Sequence, residues 1–199
     1  SEMEERLPAY YTLWDLGQVY KSGKHAPYCN WKANGYRLPT EAEWEKAARG
    51  GLTGKRFPWG GNTIDHTHAN YLSGMKDILP YDVNPTDGNH PDYITADGSP
   101  YINPVNAFAP NGYGLYNMAG NVAEFCWDLM DSNCRYYSIS PLSNPRGPDV
   151  TTTLRVFRGG SWHVVSGLCT CSAHGQGDRP DYNGSDVGLG FRVVISGQK

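Results

Sequence analysis

Long apolar runs are missing from this chain of 199 residues. Nothing approaches the roughly 20 consecutive apolar residues that cross a bilayer, so a membrane would be reached only through an anchor outside this chain. No stretch shows the basic, apolar and small-residue sections of a secretory signal. Charge is scarce: Asp, Glu, Lys and Arg make up 19%, with a formal net charge of −3. The cations are scattered, which argues against nucleic acid as a partner. An even cysteine count is lacking as well. Cys29, Cys126, Cys134, Cys169 and Cys171 leave at least one thiol without a partner inside the chain. Cys126 and Cys134 are spaced to bridge across a turn, while Cys169 and Cys171 are too close for an easy bridge. Internal repeats and low-complexity tracts are absent.

Turn formers and aromatics are abundant. The chain has 24 Gly, 14 Pro and 14 Tyr, a composition of loops and short strands around an aromatic core rather than of helices. Its length suits a single domain over residues 1–199. Residues 1–25 are weakly patterned. Ala26 to Ala33 reads as a short helix burying Cys29 and Trp31 and stopped by Asn34-Gly35. The strongest local signal follows. Tyr36 to Pro39 is extended, and Thr40 with Glu43 three residues on forms a capping box. The spacing predicts a helix over Glu41 to Arg49, ended by Gly50-Gly51. From Phe57 to Pro110 almost nothing is periodic. Trp59, Tyr71, Leu72, Tyr93 and Tyr101 argue against disorder, so a bound cation is a candidate organiser. Asn70, Asp77, Asp82, Asp87, Asp92 and Asp97 offer oxygens. Val122 to Trp127 alternates as a strand with one buried face, and Leu154 to Phe157 resumes a strand. That strand leads into Arg158-Gly159-Gly160-Ser161-Trp162. Leu189 to Val194 is also strand-like, and 26 small, polar, aperiodic residues separate the two segments.

Several motifs occur together in order: Gly35-Tyr36-Arg37-Leu38-Pro39-Thr40-Glu41-Ala42-Glu43-Trp44-Glu45, Ala47-Ala48-Arg49-Gly50-Gly51, Phe57-Pro58-Trp59-Gly60, Asn111-Gly112-Tyr113-Gly114-Leu115-Tyr116-Asn117, Gly120-Asn121-Val122, Arg158-Gly159-Gly160-Ser161-Trp162 and Gly190-Phe191-Arg192. From roughly Cys29 to Val194 the chain resembles the formylglycine-generating-enzyme (sulfatase-modifying factor) family, without that family's usual amino-terminal strands. The resemblance implies an α+β, C-type-lectin-like fold with short twisted sheets, two helices and extensive irregular loops. It also implies calcium. One ligand set falls on the side chains of Asn117 and Glu124 and the carbonyls of Gly120 and Val122. A second falls on Asn70, the Tyr71 carbonyl, Asp97 and the Ser99 carbonyl. Hard oxygens of this kind suit Ca²⁺.

The family's oxidase chemistry resembles copper-dependent oxidation of a substrate cysteine by two thiolates that follow the Gly-Gly-Ser-aromatic segment. Soft thiolates suit Cu(I). Here the second thiol falls on Cys169, but the first falls on Val164, which neither ligates nor exchanges. Cys171 is an extra thiol at the wrong spacing, and Ser172 and Ala173 stand near the places of two family arginines. The expectation is therefore that no copper is bound and that the chain is not an enzyme.

The loop resembles a subset of the fold, the variable proteins of diversity-generating retroelements. There the segment between Gly-Gly-Ser-Trp and Gly-Phe-Arg is rewritten at adenines. Randomising the first two bases of an Asn codon never gives Lys, Glu, Gln, Met or Trp. These types make up 27 of 199 residues, so three or four are expected among 26, and the loop has only Gln176. Within a variable region of about residues 163–188, the candidate positions are His163, Val164, Val165, Gly167, Leu168, Cys171, Ala173, Gly175, Gly177, Asp178, Tyr182, Asn183, Ser185, Asp186 and Val187. Val164, Val165, Leu168 and Tyr182 are expected to form an exposed apolar patch, the mark of a binding site. The reading is a ligand-binding, receptor-like protein at the cell surface or in another extracytoplasmic setting. Its partner is an unnamed protein or other macromolecule. The competing readings are a copper-dependent formylglycine-generating oxidase using Cys169 with Cys171, and an inactive structural member of the family.

Overall fold

The computed structural model describes residues 6–22, 27–130, 136–148, 154–176 and 188–195. Among these described residues, three small sheets and two α-helices carry the fold. Strands β1 (Tyr10–Tyr11) and β2 (Tyr28–Cys29) pair antiparallel. Strands β3 (Tyr36–Arg37) and β8 (Val194–Ile195) do the same. The central sheet has the order β6 (His174–Gln176), β5 (Arg155–Arg158), β4 (Ala123–Leu129), β7 (Leu189–Gly190). Its pairings are antiparallel except β4 with β7, which is parallel.

The helix expected over Ala26 to Ala33 is replaced by β2 and a turn. Cys29 lies opposite Tyr10, whose ring stacks on Trp127 at 5.6 Å. That tertiary contact outweighs a weak local helix signal. Helix α1 (Glu41–Arg49) forms as its sequence predicts, with both halves of the Thr40–Glu43 capping box made and Gly50 closing it in the left-handed conformation. Its Trp44 and Ala48 are fully buried against β4 and β5. They join Met118, Cys126, Met130, Val156 and Cys171 in one core cluster. Phe57, Ile64, Ala69, Tyr71, Ala119 and Cys169 form a second. Helix α2 (Tyr136–Ile139) is a single turn.

Side chains, not a ladder, order the long aperiodic span. Buried Asp82 accepts from the Tyr71 hydroxyl (2.7 Å), the Ser73 hydroxyl (3.0 Å) and the Asn84 N–H (3.3 Å). Asn84 accepts from the His66 N–H and donates to the Thr86 carbonyl. Asn111 donates to the Ala47 carbonyl at the end of α1, and Asn121 accepts from the Asn103 N–H. Buried backbone groups need partners, and in this span Asn, Asp and His supply them. Asp82 is spent inside this network, so it is not free as the cation ligand its sequence position offered.

The segment around Gly160 does not continue the strand. β5 ends at Arg158, and Gly159 (φ 95°) and Gly160 (φ 69°) fold the chain away. A Cβ on Gly160 would sit 2.7 Å from the Cys169 sulfur. Left-handed backbone and the close sulfur both require glycine there.

Candidate functional site

Arg158 builds the floor of the site. Its side chain is 1% exposed. It donates to the Glu45 carboxylate (2.5 Å) and lies 3.6 Å from Glu41. It also donates to the carbonyls of Cys171 (3.0 Å), Ser172 (2.7 Å) and Ala173 (2.6 Å). One guanidinium thus fastens the segment after Gly160 to helix α1. The planar five-donor fork suits this task, which a lysine would not fulfil. His174 completes the anchor: its Nδ1 lies 3.2 Å from Glu41 and 2.6 Å from the Tyr137 hydroxyl. Sequence reasoning did not single out Arg158, Glu41 or Tyr137 as parts of the site, because their partners lie far along the chain.

The candidate variable positions divide by surroundings. His163 is exposed, and its Nδ1 is 3.2 Å from the Ser161 hydroxyl. Val164, Val165, Gly167, Leu168 and Ala173 are half-buried. The Val164 carbonyl accepts the Leu72 N–H (3.1 Å), and Val165 bridges Leu72, so this part of the segment leans on the aperiodic span. Leu168 and Val164 close a small cavity of about 50 Å³ against Phe157 and Leu189. The expected exposed patch of Val164, Val165 and Leu168 is therefore corrected to a half-buried seam. Cys171 is corrected as well: it is 1% exposed, inside the core with Trp44 and Met118. Gly175 belongs to the frame, because it pairs with Phe157 in the sheet and a Cβ would fall 1.9 Å from the Phe157 ring. Gly177, Asp178, Tyr182, Asn183, Ser185, Asp186 and Val187 lie outside the described residues.

The thiols do not converge. Cys169 is fully buried in one core cluster and Cys171 in the other. Burial pushes Cys169 up to about 12 and Cys171 up to about 11. The two thiols enter different cores, whereas a Cu(I) site of the expected kind needs both on one ion. Cys126 is free and buried, so the proposed bridge from it is not made; Cys134 lies outside the described residues. No group of three or more His, Cys, Asp or Glu side chains converges among the described residues. The buried histidines are spent on structure. His66 Nε2 and His90 Nε2 face the carbonyls of Tyr71 and His66. A carbonyl takes only a donor, so each Nε2 carries the proton. Their Nδ1 atoms face the Asn84 amide and the Asp92 N–H.

In the first calcium set, the Asn117 Oδ1 already accepts from the Asn103 amide at 3.3 Å. Asn117 (φ 50°), Gly120 (φ 73°) and Asn121 (φ 68°) wind the backbone left-handed. Among the described residues no N–H is donated to the Gly120 or Val122 carbonyls. Glu124 is engaged as well, since its carboxylate takes the Trp44 indole N–H (2.7 Å) and is paired with Arg192. The second set does not fit. The Tyr71 carbonyl receives His66, and the Ser99 carbonyl receives the N–H and hydroxyl of Thr95. Exposed Asp97 caps its own turn through Thr95 and Ser99, while Asn70 is buried and donates to the Tyr101 carbonyl.

A small mixed sheet, two helices and long side-chain-ordered loops define an α+β protein of the C-type-lectin-like class. More narrowly, the chain belongs to the formylglycine-generating-enzyme (sulfatase-modifying factor) family, because residues 25–196 match its sulfatase-modifying factor enzyme 1-like domain. The formylglycine-generating enzyme of Thermomonospora curvata is 43% identical over 145 residues, covering 71% of this chain and 43% of that protein. The inactive C-alpha-formylglycine-generating enzyme 2 of Mus musculus is 38% identical over 196 residues, covering 96% and 49%. The chain spans about half the length of these relatives. Among solved structures, Treponema denticola variable protein 1 superposes with a TM-score of 0.61 at 30% identity, covering 86% of this chain and 51% of that one. These kinships overturn the expectation that the chain is not an enzyme. Relatives at 40–43% identity are named formylglycine-generating enzymes, so its family is an enzyme family.

Proposed function

We propose that this chain is the ligand-recognising module of a formylglycine-generating-enzyme family protein, and that residues 163–188 form its binding face. One observation carries the reading. The segment after Gly160 keeps a rigid attachment, through Arg158, while valine stands at the first thiol position. Apart from Cys171 in the core and Gly175 in the sheet, its side chains can vary while that attachment holds, the logic of a fixed scaffold bearing an adaptable surface. The likeness to a variable protein and the residue set of the loop support diversification by a retroelement. The partner is a protein or another macromolecule met at the cell surface or in another extracytoplasmic setting. The test is the encoding locus. We expect a near-copy of the segment for residues 163–188 that differs mainly at adenines, beside a reverse transcriptase gene. A locus without such a repeat would sink the retroelement part of the reading.

A second reading is favoured by the names of the relatives: an oxidase acting on a substrate cysteine. Incubating the protein with a cysteine-containing peptide, oxygen and copper tests it. A formylglycine product that disappears in Cys169→Ala would establish it, and absence of product would count against it. We also propose calcium at the Asn117, Gly120, Val122 and Glu124 oxygens, supported by the Gly120 and Val122 carbonyls, which accept no N–H among the described residues.

A further inference from the structure

Away from the binding face, an open groove of about 1080 Å³ runs between Trp31, the exposed face of α1 and the loop at residues 142–146. Its charge is lopsided. Lys32, Lys46 and Arg146 line it, and none makes an ion pair among the described residues. The acid on its wall, Glu43, is bound by Arg37 through two bonds of 2.6 and 2.7 Å. Three cations without an ion pair among the described residues thus line one groove of a chain whose net charge is −3. The groove is also pre-organised. The Arg146 guanidinium sits 4.5 Å from the centre of the Trp31 ring, and Trp31 is fixed edge-on against Trp127 at 5.5 Å. Cation–π contact holds an exposed arginine in place without neutralising it. Apolar side chains share the lining: Leu142 is fully exposed, and Ile195 of β8 is 42% exposed.

We infer that this groove is a second binding site, for an extended acidic peptide with apolar residues between its carboxylates. Charge complementarity supplies attraction and orientation. Leu142 and Ile195 give apolar side chains a place that a sulfated or phosphorylated polymer would leave unused.

Fluorescence anisotropy with a labelled peptide of alternating Asp and Leu tests the site on the whole chain. The acidic peptide binds, and its affinity falls severalfold as salt rises from about 0.05 to 0.3 M, because exposed charges are screened beyond roughly 10 Å. A double variant, Lys46→Glu with Arg146→Glu, loses about tenfold in affinity and gains binding of the matching Lys–Leu peptide. Both positions are exposed, so the melting temperature stays unchanged; Lys46→Gln with Arg146→Gln gives a smaller loss and guards against a folding artefact. No binding at low salt, or binding untouched by the charge reversal, would overturn the site. Heparin binding more tightly than the peptide and displacing it would overturn the peptide as occupant.

Discussion

The Arg158 guanidinium lies inside the protein between two carboxylates and three carbonyls. Removing one partner of a buried ionic network leaves the others desolvated and unpaired. Arg158→Met is therefore expected to lower stability by about 3 kcal/mol or more, read by urea denaturation, and to free residues 171–173 for faster amide exchange. Asp128 is the other singular residue. It is 2% exposed and accepts the Glu41 N–H at 2.8 Å. Burial, reinforced by the nearby Glu41 carboxylate, pushes it up to about 7. A carboxyl raised in the folded state contributes stability that is complete below its unfolded value, near 4, and is lost as pH rises through about 7. Unfolding free energy should thus decline across that window. Asp128→Asn should flatten the decline and raise the melting temperature at pH 8. An unchanged slope in the variant would show that Asp128 is not buried as described.

At the scale of elements, two glycines in similar backbone conformations separate conformational strain from steric contact. Gly160 and Gly114 both have positive φ, at 69° and 75°. Gly114 faces open space, whereas a Cβ on Gly160 meets the Cys169 sulfur. Gly114→Ala should cost about 1 kcal/mol from strain alone. Gly160→Ala should cost roughly 2–4 kcal/mol, the excess being overpacking. Equal costs would mean that the turn between β5 and Cys169 yields easily. Helix α1 depends on local signals as well as burial. Thr40→Ala should remove about 1 kcal/mol by undoing the capping box, with Trp44 still holding the helix to the sheet.

For the molecule as a whole, a ligand bound only by the folded state raises its melting temperature. If calcium occupies the turn at residues 117–124, chelation should lower that temperature by several degrees, and a calcium titration should restore it. Arg192→Ala should tighten the calcium response, because Arg192 competes for the Glu124 carboxylate. A melting curve indifferent to chelator would rule the site out.

Helix α1 was legible in the sequence because its caps are local: Thr40, Glu43 and Gly50 lie within one short stretch. Strands β4 and β5 were legible through alternation and through the apolar run before Arg158. The motif order also placed the chain in its family. Other features were not legible. Cys169 and Cys171 stand two residues apart yet enter different core clusters: Cys169 closes a short 3₁₀ turn (Ser166–Cys169), Thr170 is extended, and the Cys171 carbonyl is held by Arg158. Tyr28–Cys29 became a strand because Tyr10 and Trp127 lie beside it. The span from Phe57 to Pro110 looked ownerless because Asp82, Asn84, Asn111 and Asn121 bond to groups that only the folded chain brings near. Short-range chemistry, such as caps, turn glycines and residue spacing, is fixed by the sequence itself. The fate of each buried polar group and thiol depends on partners tens of residues away, and the tertiary structure alone decides it.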